Sequence, residues 1–187
     1  MRAHLRTPLA VLKKLGLVLL LFSAVRLVFL FAYRSSFAEP GGTQLAIALL
    51  QGLRFDAMTI VVANAWWIAL SLMPFRWSER AWWQRTLAVL FVVVNGFLLL
   101  LCCIDLPYYG FNGKRLTSDV LGQTGAGLRE LPGMMLHYWW ATLLFIGMMV
   151  LVVRAARITR TDRPRVSWPY LLVVLVLTVL LTLVGRG

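Results

Sequence analysis

The sequence predicts an all-α, polytopic membrane protein with five transmembrane helices. Of its 187 residues, 60% are hydrophobic and only 14% are charged, whereas a soluble domain is roughly 45–50% apolar. The apolar residues form continuous blocks near the roughly 20 residues that a helix needs to span a bilayer, without the alternation expected of barrel strands. So large an apolar excess cannot be buried in a core of this size, which excludes a soluble enzyme, a disulfide scaffold and a disordered chain.

Five apolar blocks define the helices of a single transmembrane domain over residues 1–187. Arg26 interrupts the first block, Pro74 ends the second, and Asn95 is the one strongly polar residue of the third. The predicted helices cover residues 15–33, 57–73, 87–104, 134–153 and 166–184.

The first block also has features of a secretory signal peptide. Basic residues precede it, and Ser36-Phe37-Ala38 has the small-x-small pattern of a cleavage site. Its 19 residues exceed the 7–15 of a signal-peptide core, however, and it contains Arg26. We therefore expect an uncleaved membrane anchor.

The basic residues predict the orientation of the helices. Lys and Arg outnumber Asp and Glu by 19 to 7, for a net charge of +12, and cytoplasmic loops of membrane proteins are rich in Lys and Arg. The N-terminal tail and the second and fourth loops carry most of these residues. We expect a cytoplasmic N-terminus, an extracytoplasmic C-terminus and a multi-pass protein of the bacterial plasma (inner) membrane. Topology explains the charge, so no nucleic-acid partner is expected.

Two stretches on the predicted outer side are too short or too polar to span. Residues 43–54 predict a short helix lying in the headgroup region. Residues 105–133 predict a long loop with short interfacial helical turns, and loops of this length are usually functional or disordered.

Three polar residues form a predicted intramembrane cluster: Arg26, Asn64 and Asn95. Arg26 lies roughly 10 Å below the outer end of its helix at 1.5 Å per residue, and the two asparagines fall at comparable depths. An arginine at this depth is costly and should face the bundle. Either it snorkels outward or bonds Asn64 or Asn95 to fix the packing, or the cluster contacts a substrate.

The outer loop carries a second candidate site, for an anionic phospholipid headgroup. Lys114 and Arg115 follow Tyr108 and Tyr109, and cationic residues beside interfacial aromatics are typical of such sites. A solvated loop is the alternative. For Arg54 and Asp56, at the mouth of the second helix, an intramolecular ion pair is expected. The two histidines, His4 and His137, lie on opposite predicted sides, so no metal site and no catalytic residue is predicted.

Three segments resemble the membrane portion of lipoteichoic acid synthase-like proteins, the phosphoglycerol and phosphoethanolamine transferases of the sulfatase-like alkaline phosphatase superfamily. They read Gly-Leu-Arg-Phe-Asp at residues 52–56, Ile-Asp-Leu-Pro-Tyr-Tyr at 104–109 and Gly-Lys-Arg-Leu-Thr-Ser-Asp at 113–119. The resemblance implies five membrane helices followed by an extracytoplasmic catalytic domain. That domain would carry a threonine nucleophile and a divalent metal such as Mn or Mg, and no position here matches either.

The resemblance thus implies a membrane anchor that helps to present a lipid donor through Arg54, Lys114 and Arg115. Three accounts remain open. The chain is a fragment whose catalytic half is separate, a stand-alone lipid-binding or assembly protein that partners a sulfatase-like subunit, or an unrelated small transporter. In the last case Arg26, Asn64 and Asn95 would line a path.

Overall fold

The structure, a computed structural model, describes residues 6–34, 41–72, 80–112, 133 and 138–158. Nearly all of these residues are helical, and none of them lies in a strand. The five helices are α1 (Arg6–Ala32), α2 (Gly42–Ala63), α3 (Ala65–Leu72), α4 (Ala81–Asn112) and α5 (Trp139–Ile158).

Among the described residues, four helical segments are long and apolar enough to cross a membrane: Leu9–Ala32, Gly42–Ala63, Ala81–Gly110 and Trp139–Arg157. Together with the all-helical fold, they make the chain a multi-pass membrane protein of the all-α class. The predicted fifth helix at residues 166–184 lies outside the described residues. The five-helix count and the orientation of the termini remain predictions.

Helix α1 occupies the centre of the bundle and packs against α2, α3, α4 and α5, while α4 and α5 form the most extensive helix pair. Apolar residues spaced three or four apart form its buried face, the pattern of a helix with one core-facing stripe. They are Val11, Leu15, Val18, Phe22, Val25 and Phe29. The core also contains Phe91 and Leu99 from α4 and Val152 from α5.

The structure differs from the predicted helix boundaries at α1 and in the region of α2 and α3. α1 begins at Arg6, not at residue 15, because apolar residues flank the Lys13-Lys14 pair on both sides. The predicted interfacial helix at 43–54 and the second predicted helix at 57–73 also differ from the structure. One continuous helix, α2, covers 42–63, and α3 follows it after a break at Asn64. A single glycine within a helix costs only about 1 kcal/mol, so Gly52 does not end α2.

The helix α4 is longer at both ends than the predicted 87–104 and continues through Pro107 to Asn112. The predicted outer loop therefore does not begin at Asp105. Pro107 has no N–H to donate to the carbonyl four residues earlier, yet packing of the residues around it against α1 and α5 keeps this segment helical. α5 lies five residues later than the predicted 134–153.

Candidate functional site

A charged pair joins α1 to α2 near the predicted outer end of the bundle, where α1 and α4 finish and α2 begins. The Nη2 of Arg26 donates a hydrogen bond to Oδ1 of Asp56 at 2.8 Å. The two side chains are 23% and 15% exposed, so the pair is largely enclosed by protein. Arg26 thus has a carboxylate partner on the neighbouring helix.

Gly52 lets α2 approach the Arg26 guanidinium closely. A Cβ atom at position 52 would overlap the guanidinium group of Arg26. Gly52 lies one helical turn before Asp56, so both face α1. The glycine provides the space, and the carboxylate provides the counter-charge.

Cavities lie on both sides of the Arg26 guanidinium. The smaller, of about 120 Å³, is lined by Arg26 and Asp56 together with Cys102, Asp105 and apolar residues of α1 and α4. The larger is an open groove of about 610 Å³ between α1 and α2, with Tyr109 of α4 at its edge. Among the described residues, Arg26 contributes a positive charge to both cavities. The carboxylates of Asp56 and Asp105 line only the smaller cavity.

An aromatic cluster of Phe29, Tyr33 and Tyr109 joins α1 to α4 beside this site. Its ring centroids lie 4.8–5.1 Å apart, within the range favoured by edge-to-face aromatic pairs. The hydroxyl of Tyr33 donates to the carbonyl of Leu106 at 2.6 Å. The cluster fixes the end of α4 against the end of α1, which holds Tyr109 at the groove.

Deeper in the bundle, Asn64 and Asn95 form a reciprocal amide pair. Each Nδ2 donates to the other Oδ1, at 3.0 and 2.8 Å, and also to the carbonyl four residues earlier in its own chain segment, at 2.8 Å. Both side chains are fully buried. Because the amides satisfy each other, the pair is best explained as a packing contact between the α2–α3 break and α4.

Lys14 precedes the first predicted helix, which starts at residue 15, and so belongs to the predicted cytoplasmic tail, but in the structure it is a buried cation within α1. It is 5% exposed, and its Nζ lies 5.5 Å from the ring centroid of Trp67 and 5.7 Å from that of Phe91. Both distances allow cation–π attraction. The apolar residues on either side of Lys13-Lys14 were the signal that the helix begins earlier.

The structure divides the predicted intramembrane cluster into two separate pairs. Arg26 bonds Asp56, and Asn64 bonds Asn95. A bond from Arg26 to an asparagine was one of the alternatives that the sequence left open, and the hydrogen bond of Arg26 among the described residues is with Asp56 instead. The sequence led us to expect an ion pair between Arg54 and Asp56, and in the structure Asp56 forms an ion pair with Arg26 at 2.8 Å. Sequence reasoning could not identify Arg26 as a partner of Asp56, because that contact depends on how α1 packs against α2.

The predicted headgroup residues fall in different places. Tyr109 lines the groove with Arg26, Tyr108 is half-buried on α4, and Arg54 is exposed on α2. Lys114 and Arg115 lie outside the described residues. Within the described ranges, no three His, Cys, Asp or Glu residues are grouped so that they could hold a metal ion.

Comparisons with known proteins add no relative to this description. No protein-family model, curated protein or solved structure matches the chain.

Proposed function

We propose that this chain is the membrane domain of a sulfatase-like phosphoglycerol or phosphoethanolamine transferase. It anchors the enzyme in a bacterial plasma membrane and presents the phospholipid donor at the outer leaflet. The catalytic threonine and the divalent metal belong to a sulfatase-like catalytic domain or subunit. The described residues offer no ligand set for that metal, so no chemical step is assigned to them.

One observation carries the proposal: two of the three segments on which the family resemblance rests meet at Arg26. Gly52 and Asp56, from residues 52–56, contact the guanidinium directly. Asp105 and Leu106, from residues 104–109, line the same small cavity as Arg26. Segments about fifty residues apart thus contribute to one polar site, which supports a shared functional role for them.

The position of this site also suits a lipid-presenting role. Arg26 lies six residues before the end of α1, which corresponds to about 9 Å along a helix. With the predicted topology, that depth lies just below the outer headgroup region. A donor lipid held there would keep its headgroup near an extracytoplasmic active site.

Deletion of the gene in the source cell tests the proposal. Transfer of a phosphoglycerol or phosphoethanolamine headgroup leaves diacylglycerol in the membrane, so membranes of the deletion strain should form less diacylglycerol from labelled phosphatidylglycerol or phosphatidylethanolamine. The wild-type gene should restore its formation. Equal release of both labelled headgroups with and without the gene would contradict the proposal.

Immunoblotting with an antibody to the N-terminal segment shows how the catalytic part is supplied. A band well above 21.2 kDa would indicate that it is covalently attached. A band near that mass would require a separate sulfatase-like subunit, which should co-purify with the chain after cross-linking. Failure to recover such a subunit would contradict the proposal in that case.

A small multipass transporter or a membrane assembly protein is the alternative. The observation that favours a transporter is that polar groups lie at several depths in the bundle. Lys14 and Arg26 lie twelve residues apart on α1, which corresponds to about 18 Å. The pair of Asn64 and Asn95 is a further buried polar contact. In a transporter, Arg26→Leu combined with Asp56→Asn, which removes both charges of the enclosed pair, should abolish flux while the protein stays folded. In the transferase, the same change should affect headgroup transfer instead.

A further inference from the structure

The groove between α1 and α2 combines an apolar wall with a single cation. Among the described residues that line the groove, Arg26 is the charged one, and Gln44 and Gln51 contribute neutral polar groups. The remaining wall is mainly aliphatic and aromatic, with Leu30 from α1 and Leu45 and Leu49 from α2. A volume of about 610 Å³ lies within the range of roughly 300–1,000 Å³ typical of small-molecule sites.

The Arg26 guanidinium has donors left to offer in this groove. A guanidinium carries five N–H donors, and in the part of the chain that the structure describes Arg26 makes one hydrogen bond, from Nη2 to Asp56. Its Nη1 side lies against Gly52, which itself lines the groove. Donors at this depth in a membrane need an acceptor, because hydrocarbon provides none.

The occupant that fits both features is a membrane phospholipid. A phosphate accepts two parallel hydrogen bonds from an arginine, a pairing that is stronger than one between neutral groups. An acyl chain matches the aliphatic wall, which a soluble anion would leave exposed. Both helices that form the groove are long and apolar enough to cross a membrane, so a lipid molecule is the ligand that a groove between them would meet.

We propose that the α1–α2 groove binds one glycerophospholipid, with its phosphodiester on the Arg26 guanidinium and an acyl chain along Leu30, Leu45 and Leu49. Gly52 is a positioning residue that leaves space for the guanidinium at the groove, and Asp56 balances the charge of Arg26 when no lipid is bound. The inference deepens the proposed function and rests on it for the role of the lipid as donor. The binding itself is tested without a transfer reaction.

The test uses the purified full chain, delipidated in detergent and titrated during native mass spectrometry. The probes are dioleoyl phosphatidylglycerol and dioleoylglycerol, which has the same acyl chains but no phosphate. The key variant is Arg26→Met combined with Asp56→Asn. Removing both partners of an enclosed ion pair is often tolerated, whereas removing one leaves an uncompensated charge. Arg34→Gln is the matched control, since Arg34 is exposed near the end of α1 and does not line the groove.

We expect one phosphatidylglycerol to bind, at least about tenfold more tightly than dioleoylglycerol, because a hydrogen bond to a charged group contributes roughly 1.5–3 kcal/mol. The double variant should bind phosphatidylglycerol no better than dioleoylglycerol, while Arg34→Gln should match the wild type. Asp56→Asn alone should bind phosphatidylglycerol at least as tightly as the wild type, because it removes the carboxylate that competes for Arg26. This variant also tests the proposal if the double variant fails to fold.

Equal affinity for the two probes would overturn the proposal, as would an unchanged double variant or an equal loss in Arg34→Gln. Binding of neither probe would overturn it too, and would indicate that the chain itself or water fills the groove. Lipid binding at Arg26 without any effect of gene deletion on headgroup transfer would leave the groove supported and the transferase role contradicted. Conversely, if gene deletion reduces headgroup transfer but Arg26 binds no lipid, only the proposed lipid groove would be contradicted.

Discussion

At the scale of single residues, the buried polar side chains differ in how they are compensated. Asn64 and Asn95 satisfy each other and two backbone carbonyls. Arg26 has a carboxylate partner and, in the part of the chain that the structure describes, N–H donors that make no hydrogen bond. Lys14 has two aromatic rings and, within the described residues, no hydrogen bond or ion pair. We therefore expect substitution of Asn95 to lower the free energy of unfolding and substitution of Lys14 to raise it.

Replacing Asn95 with Leu should lower the free energy of unfolding by about 1–2 kcal/mol, because the Asn64 amide is left buried without its partner. The double variant Asn64→Leu with Asn95→Leu should lose less than the sum of the two single changes, as expected for residues in direct contact. Denaturation in mixed detergent micelles measures both values.

Ser23→Ala is the control for the asparagine variants. The Ser23 hydroxyl bonds the Leu19 carbonyl within α1, so its loss breaks no contact between helices and should change stability by less than about 0.5 kcal/mol. Strictly additive effects of the two asparagine substitutions would contradict the proposed packing role of the pair.

Lys14→Met should raise the free energy of unfolding by about 1–2 kcal/mol. Cation–π contacts with Trp67 and Phe91 contribute roughly 0.5–2 kcal/mol, whereas an ammonium group buried without a charged partner costs more than that. Methionine keeps the contact with both rings and has no charge to desolvate. The same denaturation measurement applies, with Lys13→Met as the matched control.

Lys13 is exposed on the same helix, so its substitution should leave the stability almost unchanged. A loss of stability in Lys14→Met alone would show that the cation holds the start of α1 in place. The proposed cost of its burial would then be wrong.

At the scale of secondary-structure elements, the close approach of α2 to α1 depends on one glycine. A methyl group normally stabilises a helix by roughly 0.5–1 kcal/mol relative to glycine. At position 52 it would overlap the guanidinium of Arg26, and forcing extra atoms into a packed contact typically costs about 1–3 kcal/mol. We therefore expect Gly52→Ala to lower the thermal unfolding midpoint.

Gly147→Ala is the matched control for this prediction. Gly147 lies within α5, and a Cβ there would meet nothing within 4 Å, so the substitution should leave the midpoint unchanged or raise it. If both variants shift the midpoint in the same direction, the contact between Gly52 and Arg26 does not limit the helix approach.

The boundaries of the elements show where local patterns were insufficient. Residues 43–54 are less apolar than the block that follows them, which led to the prediction of two separate segments. No residue at the junction of the two segments ends a helix, however. α2 is therefore continuous, and its actual end is at Asn64, whose side chain bonds the Ile60 carbonyl and the amide of Asn95. The break thus depends on a partner in α4, which no local window contains.

At the scale of the whole molecule, the predicted topology gives alternating locations for reporter fusions. Alkaline phosphatase should be active when fused after Arg34 and after Gly187, and inactive after Arg80, because the enzyme works only outside the cytoplasm. Green fluorescent protein at the same positions should give the inverse pattern. Activity after Arg80, or inactivity after Gly187, would contradict the predicted orientation or the five-helix count.

Much of the architecture was predictable, whereas little of the candidate site was. The apolar blocks around Val18, Phe91 and Val152 all lie in helices of the structure, since length and hydropathy act locally along the chain. Arg26 was expected to face the bundle, because an arginine at that depth needs partners, and in the structure its guanidinium bonds Asp56. The sequence did not indicate Asp56 as a partner of Arg26, because the two residues lie on different helices.

Membrane residence and the all-α class follow from composition and block length, because a hydrocarbon solvent leaves a chain of this kind few other structures. The pairing of Arg26 with Asp56, the pairing of Asn64 with Asn95 and the burial of Lys14 follow from helix packing instead. Each pair joins residues about thirty positions apart, and each contact depends on the angle and register at which two helices cross. Those quantities arise from the simultaneous fit of many side chains, so they are settled by the assembled bundle rather than by any one segment.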